Sequence, residues 1–280
     1  MEGYPDSDYP HAEPWRADPS LEAFYYDDLI TDVLRPIKPG KEATVYCCRA
    51  HPSTGANLLA AKVFRVWLEP GLKREHRTGG DLLADDRRSP QTRSSFRRRA
   101  IYEEGREIAD ARLRRAFQNR SAMGRRLRFG GWVDREFTVL CRLFDAGADV
   151  PAPVARSGPA ILMEYLGDEI NPAPMLKHVS LEREQARTLF DVVLRNVELF
   201  LARDLVHADL SAFNVLYWDG KVKIIDFPQA VDAFDNPNAQ SLLSRDIYNV
   251  CRYFARYGIS ADPSRLAEDL WQRFLRRELR

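Results

Sequence analysis

The sequence predicts an α+β protein with a small β-rich N-terminal lobe (N-lobe) and a mainly helical C-terminal lobe (C-lobe). Three observations support this prediction. The first half contains strand-like apolar runs such as residues 58–64, whereas the second half repeats apolar residues at spacings of three and four. One tight-hairpin signal, Asp219-Gly220, lies between two short apolar runs in the second half. The length of 280 residues suits one bilobal domain, and 45% hydrophobic residues suffice for its cores.

Composition changes along the chain predict its organisation. We expect a flexible N-terminal arm over residues 1–30, an N-lobe over 31–166 with a basic insertion at about 72–131, and a C-lobe over 167–280. Residues 87–128 contain 14 arginines against four acidic residues. This segment could contact RNA phosphates, a ribosomal particle or an acidic protein, or it could dock on the acidic residues of its own lobe.

The global composition excludes several classes of protein. A net charge of +1 indicates neither a strongly basic nor a strongly acidic partner surface. The four cysteines, Cys47, Cys48, Cys141 and Cys251, have no metal-binding spacing, which favours a reducing cytoplasm. No run of 18 apolar residues occurs, so we expect no membrane span, and residues 1–19 do not have the pattern of a signal peptide.

The segment from His207 to Asn214, followed by Asp226, has the composition of a phosphoryl-transfer centre. Such chemistry needs a carboxylate that accepts the proton of the attacking hydroxyl group, here Asp209. It also needs an amide and a second carboxylate to hold a divalent metal ion, here Asn214 and Asp226. The predicted hairpin carries Asn214 at one end and Asp226 at the other, so we expect both residues at the same rim of this small sheet. Taken singly, each could be a turn residue or a strand terminator.

A second group of residues lies in the N-terminal half. Lys62 interrupts the apolar run 58–64, and a lysine in such a run needs an anionic partner. The candidate partners are phosphate groups and Glu136, which lies in a segment with helical spacing, 132–143. Alternatively, Lys62 is a surface residue of an edge strand. Upstream, Gly40 predicts a turn before a strand, although the Gly-x-Gly-x-x-Gly pattern is absent.

The second half contains three predicted helices. Apolar residues from Ala186 to Leu201 repeat at helical spacing, with Ser180 as the expected N-cap. Two further amphipathic helices are predicted around Ile247–Phe254 and Leu266–Phe274. We expect His207 to pack beneath the catalytic loop and not to act as an acid or base. No room remains between Asp226 and the next helix for a long activation segment.

Five segments together resemble the motifs of one family. They are Gly-Lys-Glu-Ala-x-Val-Tyr at 40–46, Ala-Lys-Val-Phe at 61–64, Met-Glu-Tyr-Leu-Gly at 163–167, His-Ala-Asp-Leu-Ser-x-x-Asn at 207–214 and Ile-Asp-x-x-Gln at 225–229. In this order, over about residues 30 to 260, they resemble the bacterial-type members of the RIO family of atypical serine/threonine kinases. One departure is Ala208, because the family usually has glycine there.

The resemblance implies a bilobal protein-kinase-like fold, ATP as cofactor, and Mg²⁺ or Mn²⁺. It implies that Asp209 is the catalytic base, that Asn214 and Asp226 bind the metal ion, and that Lys62, oriented by Glu136, binds the ATP phosphates. It assigns the turn Gly40, Lys41, Glu42 and Ala43 to the phosphates, Met163 to the gatekeeper position, and the backbones of Glu164 and Leu166 to adenine recognition. Asp226 could also accept a phosphoryl group.

Three functions are then open. The first is an ATP-dependent serine/threonine protein kinase, acting on an unknown protein or on itself. The second is an ATPase switch that forms an aspartyl phosphate at Asp226 and acts in ribonucleoprotein assembly. The third is a small-molecule phosphotransferase, against which Ser211 and Gln229 argue.

Overall fold

The computed structural model describes residues 18–40, 42–65 and 122–279, without the side chains of residues 38, 39 and 122–130. The chain divides into two compact units, one of residues 66–132 and one of the remaining residues. Both lobes and all of the site described below lie in the second of these units.

A five-stranded antiparallel sheet forms the N-lobe. Cross-strand partners lie on the same face of a sheet. Val45 is opposite Lys62, and Ala60 is opposite Met163, so these four residues share one face. In the order β1-β2-β3-β5-β4, the strands are β1 (Ile30–Pro39), β2 (Ala43–Ala50), β3 (Leu58–Phe64), β4 (Pro153–Ser157) and β5 (Ala160–Glu164).

The other face of the sheet is covered by the chain that precedes β1. A 3-10 turn, Pro19–Leu21, leads into helix α1 (Glu22–Tyr26), and the Asp18 carboxylate caps the turn. Leu21 and Phe24 are fully buried in the cluster that includes Cys48. This packing corrects the predicted arm, because residues 18–30 belong to the N-lobe. Residues 1–17 lie outside the described part of the chain.

The predicted helix after the basic segment is confirmed and is longer than expected. Helix α2 runs from Ala122 to Asp145, so it begins inside the predicted insertion of 72–131. Its C-terminal half is anchored by buried Val139, Leu140 and Leu143, which belong to the core of the C-lobe. The rest of the insertion lies outside the described residues.

The three helices predicted for the C-lobe are confirmed as α3 (Arg183–Leu201), α4 (Ala239–Ala255) and α5 (Pro263–Leu275). The N-cap of α3 is Glu182 and not Ser180, because Glu182 and Gln185 form a reciprocal capping box. Helices α3 and α4 contribute buried phenylalanines, and Phe190 packs edge-on against Phe254 at 5.5 Å. Within the described part of the chain, no helix combines the length and the apolar character that a membrane span needs.

Two short antiparallel strand pairs complete the C-lobe. Strand β6 (Leu205–Val206) pairs with β9 (Val231–Asp232), and β7 (Val215–Trp218) pairs with β8 (Lys221–Ile224). The second pair is the predicted hairpin, with positive φ angles of 48° at Asp219 and 76° at Gly220. Its open end places the residues before β7 next to those after β8.

Candidate active site

The loop between β6 and β7, residues 207–214, is the predicted catalytic loop, and hydrogen bonds from Asn214 close it. Its side-chain Nδ2 donates to the carbonyl oxygen of Asp209 at 2.8 Å and to Oδ2 of Asp209 at 3.3 Å. The Ile225 N–H donates to the Asn214 carbonyl oxygen at 2.9 Å, which brings the end of the hairpin alongside. The structure therefore places Asp209, Asn214 and the segment of Asp226 together, as the hairpin argument predicts.

Lys62 lies between two carboxylates. Its Nζ is 2.6 Å from Oε1 of Glu136 and 2.7 Å from Oδ1 of Asp226. The side chains of Lys62 and Glu136 are 13% and 6% exposed, whereas that of Asp226 is 45% exposed. Burial acts to lower the pKa of Lys62, but the two carboxylates outweigh burial and raise it. Lys62 is thus held as an ammonium group, and the edge-strand interpretation is wrong.

Helix α2 is tied to the segment that follows Asp226. The Arg135 guanidinium donates to the carbonyl oxygen of Ala230 at 3.1 Å. Because Arg135 immediately precedes Glu136, this bond fixes the helix at the point where it contacts Lys62. The sequence analysis missed Arg135, since its partner is a backbone group 95 residues away.

A buried acidic residue on α4 holds the catalytic loop. Asp246 accepts the N–H of Ala208 at 2.7 Å and the N–H of Leu210 at 3.0 Å. Burial raises the pKa of Asp246 to about 7, whereas the two backbone donors act to lower it. The neighbouring Arg245 donates to the Ala208 carbonyl oxygen. The sequence analysis missed Asp246, although an acidic residue on the apolar stripe of a helix signals a buried partner.

Two buried aromatic groups support the loop from beneath. His207 is 3% exposed, and its ring lies 4.9 Å from that of Phe227. Its Nε2 is 3.2 Å from the carbonyl oxygen of Ile225, the residue before Asp226. Burial lowers the pKa of His207, so the imidazole is neutral. The expected packing role of His207 is confirmed.

The turn between β1 and β2 contains the residues assigned to the phosphates. The Gly40 N–H donates to the Ala43 carbonyl oxygen at 2.8 Å, and a Cβ at Gly40 would lie 2.8 Å from the same oxygen. Only glycine fits this turn without a shift. Burial raises the pKa of the Glu42 carboxyl, and the Asp226 carboxylate adds to the effect. Lys41 lies outside the described residues.

The segment after β5 connects the two lobes. The Glu164 N–H donates to the Ala152 carbonyl oxygen at 2.8 Å, and the Leu166 carbonyl oxygen accepts from the Ala173 N–H at 2.9 Å. The Glu164 carboxylate also lies 3.2 Å from Nζ of Lys223 on β8. This ion pair, which the sequence analysis missed, links the end of β5 to the hairpin that precedes Asp226.

A glycine makes the connection between the lobes possible. Gly167 has φ of +130°, and a Cβ there would lie 2.4 Å from the Asn171 carbonyl oxygen. Met163, the predicted gatekeeper, lies on the Lys62 face of the sheet and packs against the core of the C-lobe.

The bilobal α+β fold and the lysine–glutamate pair beneath the sheet are those of protein-kinase-like enzymes. The RIO domain matches residues 57–266 of this chain. The RIO-type serine/threonine-protein kinase Rio1 of Thermoplasma acidophilum is 38% identical over 137 residues, which are 49% of this chain and 70% of that protein. The chain belongs to the RIO family.

Other relatives are longer than this chain. Serine/threonine-protein kinase RIO1 of Caenorhabditis elegans is 38% identical over 129 residues, and the human RIO1 kinase is 37% identical over 130. Each match covers 46% of this chain but only 25% and 23% of those proteins. These relatives are archaeal and eukaryotic, so the bacterial-type assignment stays a prediction.

A solved structure confirms the fold. The Rio2 kinase of Chaetomium thermophilum, in a complex with ADP/Mg²⁺ and phosphoaspartate, superposes with a TM-score of 0.57 at 22% identity. The match covers 90% of this chain and 64% of that chain. The predicted bilobal kinase-like fold is therefore correct.

Proposed function

We propose that this chain is an ATP-dependent serine/threonine protein kinase of the RIO type. The observation that supports this function best is Lys62 held between Glu136 and Asp226 at 2.6 and 2.7 Å. A lysine fixed by a glutamate on a helix is the arrangement that protein kinases use to grip the α- and β-phosphates. The relatives are named as serine/threonine-protein kinases, which favours protein hydroxyl groups as acceptors.

The nucleotide would lie between the lobes. Lys62 would bind its phosphates from the sheet, and the turn Gly40–Ala43, including Lys41, would cover them. Because the Glu164 N–H and the Leu166 carbonyl oxygen already have partners, adenine would be recognised by the Glu164 carbonyl oxygen and the Leu166 N–H. Met163 would border the base, since it shares the face of Lys62 and Ala60.

Asn214 and Asp226 fit a divalent metal ion. The Nδ2 group of Asn214 faces Asp209, so its Oδ1 points away from Asp209. An amide oxygen and a carboxylate oxygen are the hard ligands that Mg²⁺ or Mn²⁺ takes, the remaining positions being filled by phosphate oxygens and water. A bound Mg²⁺ ion would neutralise charge on the phosphates. Among the described residues, no group of three or more His, Cys, Asp or Glu side chains forms a metal site by itself.

Asp209 would accept the proton of the acceptor hydroxyl. Its carboxylate is held by Asn214, and its backbone is held on both sides by the bonds from Ala208 and Leu210 to Asp246. A base fixed in this way does not have to reorganise during transfer. The protein substrate is unknown, and autophosphorylation is included in the proposal.

The test is a single-turnover reaction with γ-labelled ATP, Mg²⁺ and a mixture of serine-containing proteins. We expect label on serine or threonine that resists hydroxylamine, and labelling about 10²–10⁴-fold slower with Asp209→Asn. An acyl phosphate at Asp226 would be labile to hydroxylamine. Label that hydroxylamine removes, and that Asp226→Asn abolishes, would replace the kinase proposal by the ATPase switch.

Partners beyond ATP and an acceptor protein remain predictions. The arginine-rich segment 87–128 could bind RNA or a ribosomal particle, but most of it lies outside the described residues. A cytoplasmic location is likewise a prediction from the cysteine usage and from the absence of a long apolar run.

A further inference from the structure

An exposed aromatic ring on the catalytic loop packs against the side chain of a lysine. Phe213 precedes Asn214 and is 49% exposed. Nζ of Lys177 lies 3.8 Å from the centroid of the Phe213 ring, which is a close cation–π contact. The pair therefore presents an apolar ring and a positive charge at one place beside Asp209.

The lysine is mounted on a rigid segment. Its backbone N–H donates to the carbonyl oxygen of Ala212 in the catalytic loop at 3.0 Å. The preceding residue, Leu176, is buried, and its carbonyl oxygen accepts the hydroxyl of Tyr253 on α4 at 2.6 Å. The backbone of Lys177 is therefore fixed to the catalytic loop and to α4, so only its side chain has to be ordered on binding.

The charge of Lys177 is not neutralised within the described part of the chain. Lys62 and Lys223 each lie within 3.2 Å of a carboxylate oxygen, whereas Lys177 has the Phe213 ring as its only side-chain partner there. An exposed ammonium group over an apolar ring fits a ligand that is anionic and partly apolar.

The segment after Asp226 leaves the acceptor few other surfaces. Phe227, Pro228 and Val231 are buried, and Val231–Asp232 pair with β6. Helix α4 begins at Ala239. Because no long segment separates Asp226 from α4, an acceptor protein would meet the catalytic loop itself.

We propose that Phe213 and Lys177 form the surface that selects the acceptor, and that it takes protein segments with an acidic and an apolar residue beside the serine or threonine. An extended chain advances about 3.3 Å per residue, so neighbours of a hydroxyl at Asp209 lie within about 10 Å of it. Phe213 is adjacent in sequence to Asn214, whose side chain bonds to Asp209 at 3.3 Å, so the residues that flank the acceptor hydroxyl would pass close to Phe213. This inference rests on the proposed kinase function.

The test compares two serine peptides with the same apolar neighbour, one with flanking glutamates and one with flanking lysines. For the wild type we expect kcat/KM at least tenfold higher for the acidic peptide. Lys177→Glu should reverse the preference, Lys177→Met should abolish it, and Phe213→Ala should weaken transfer to both peptides. The matched control is Lys221→Glu, the same charge change at an exposed lysine beside the hairpin turn, which should keep the wild-type preference.

Binding without chemistry separates this inference from the proposed function. Fluorescence anisotropy with the same peptides, serine replaced by alanine, measures the preference directly. If no peptide is labelled but Lys177→Glu still reverses binding, the kinase proposal fails and the surface stands. The inference would be overturned if Lys177→Glu changed the ratio between the acidic and the basic peptide by less than twofold, both in kcat/KM and in affinity. An equal shift with Lys221→Glu would do the same, since the effect would then be global.

Discussion

The backbone N–H of Ala208 lies 2.7 Å from Oδ2 of Asp246, so a buried carboxylate on α4 fixes the loop that carries Asp209. The other oxygen of Asp246 accepts the N–H of Leu210. Both residues that flank the proposed base are therefore held by one side chain.

Asp246→Asn should lower kcat with little change in the Kd for ATP. The asparagine amide can accept from only one of the two N–H groups, and a buried donor left without a partner costs about 1–3 kcal/mol. Steady-state kinetics, nucleotide titration and thermal unfolding check this expectation. Asp269→Asn, at an exposed acidic residue of α5, is the control and should stay close to the wild type.

Asp209→Asn should lower phosphoryl transfer about 10²–10⁴-fold while nucleotide binding stays nearly intact. The carboxylate acts on the acceptor hydroxyl, not on ATP, and the amide cannot take the proton. Single-turnover transfer and the Kd for ATP are the measurements. Turnover within about tenfold of the wild type, a barrier change of only about 1.4 kcal/mol, would contradict the assignment.

Lys62→Met should weaken ATP binding and turnover together, because the lysine would contact the phosphates before and during transfer. It also leaves Glu136, which is 6% exposed on its side chain, without its partner, so thermal stability should fall. Lys62→Arg keeps the charge and serves as the matched variant. An unchanged Kd for ATP in Lys62→Met would exclude the phosphate role.

Ala208→Gly should leave the free energy of unfolding within about 0.5 kcal/mol of the wild type. Ala208 has φ of +63°, which costs an L-residue about 1–2 kcal/mol, and glycine removes that strain. This gain in stability offsets two losses, the burial of the methyl group and the greater conformational entropy of glycine in the unfolded chain, which together also amount to about 1–2 kcal/mol. Ala186→Gly, equally buried but inside α3, should instead cost about 1–2 kcal/mol. Denaturant unfolding of both variants makes the comparison.

His207 should make the folded state less stable in acid. Burial lowers its folded-state pKa below 6.5, so above pH 6.5 the imidazole is neutral in both states and its contribution to the free energy of unfolding is complete. As the pH falls below 6.5, the unfolded chain binds a proton that the folded chain does not, and stability is lost. Unfolding free energies of wild type and His207→Gln between pH 7.5 and pH 5, spaced about every half unit, should show a steeper loss for the wild type. Parallel curves would refute the buried neutral assignment.

The site was largely predictable because its residues are set by local geometry. Asp219-Gly220 determines a two-residue turn, and the turn fixes the register that brings Asn214 and the Asp226 segment together. Lys62 indicated an anionic partner, with Glu136 among the candidates, because a charge in an apolar run needs compensation. Its contact with Asp226 was not predicted. Helical spacing likewise predicted α3 and α5 within a few residues, whereas for α4 it predicted only the second half, because the helix begins at Ala239.

The remaining features depend on contacts between distant parts of the chain. Asp18–Tyr26 was predicted as part of a flexible arm, but Leu21 and Phe24 cover one face of the sheet, which no local pattern reveals. The bond from Arg135 to the Ala230 carbonyl oxygen joins residues far apart in sequence. When a side chain bonds to a backbone group, the sequence contains no second residue type that would indicate the contact.

The packing of Phe227 has a consequence for inhibitors. Its ring contacts Phe200 edge-on at 5.7 Å and His207 at 4.9 Å, and it is 3% exposed. A compound that needs Asp226 and Phe227 to exchange places would have to pull this ring out of the core and break the Lys62 contact. At the proposed nucleotide site, compounds shaped like adenine would need no such rearrangement, so selectivity among them would have to come from the residues that border the base.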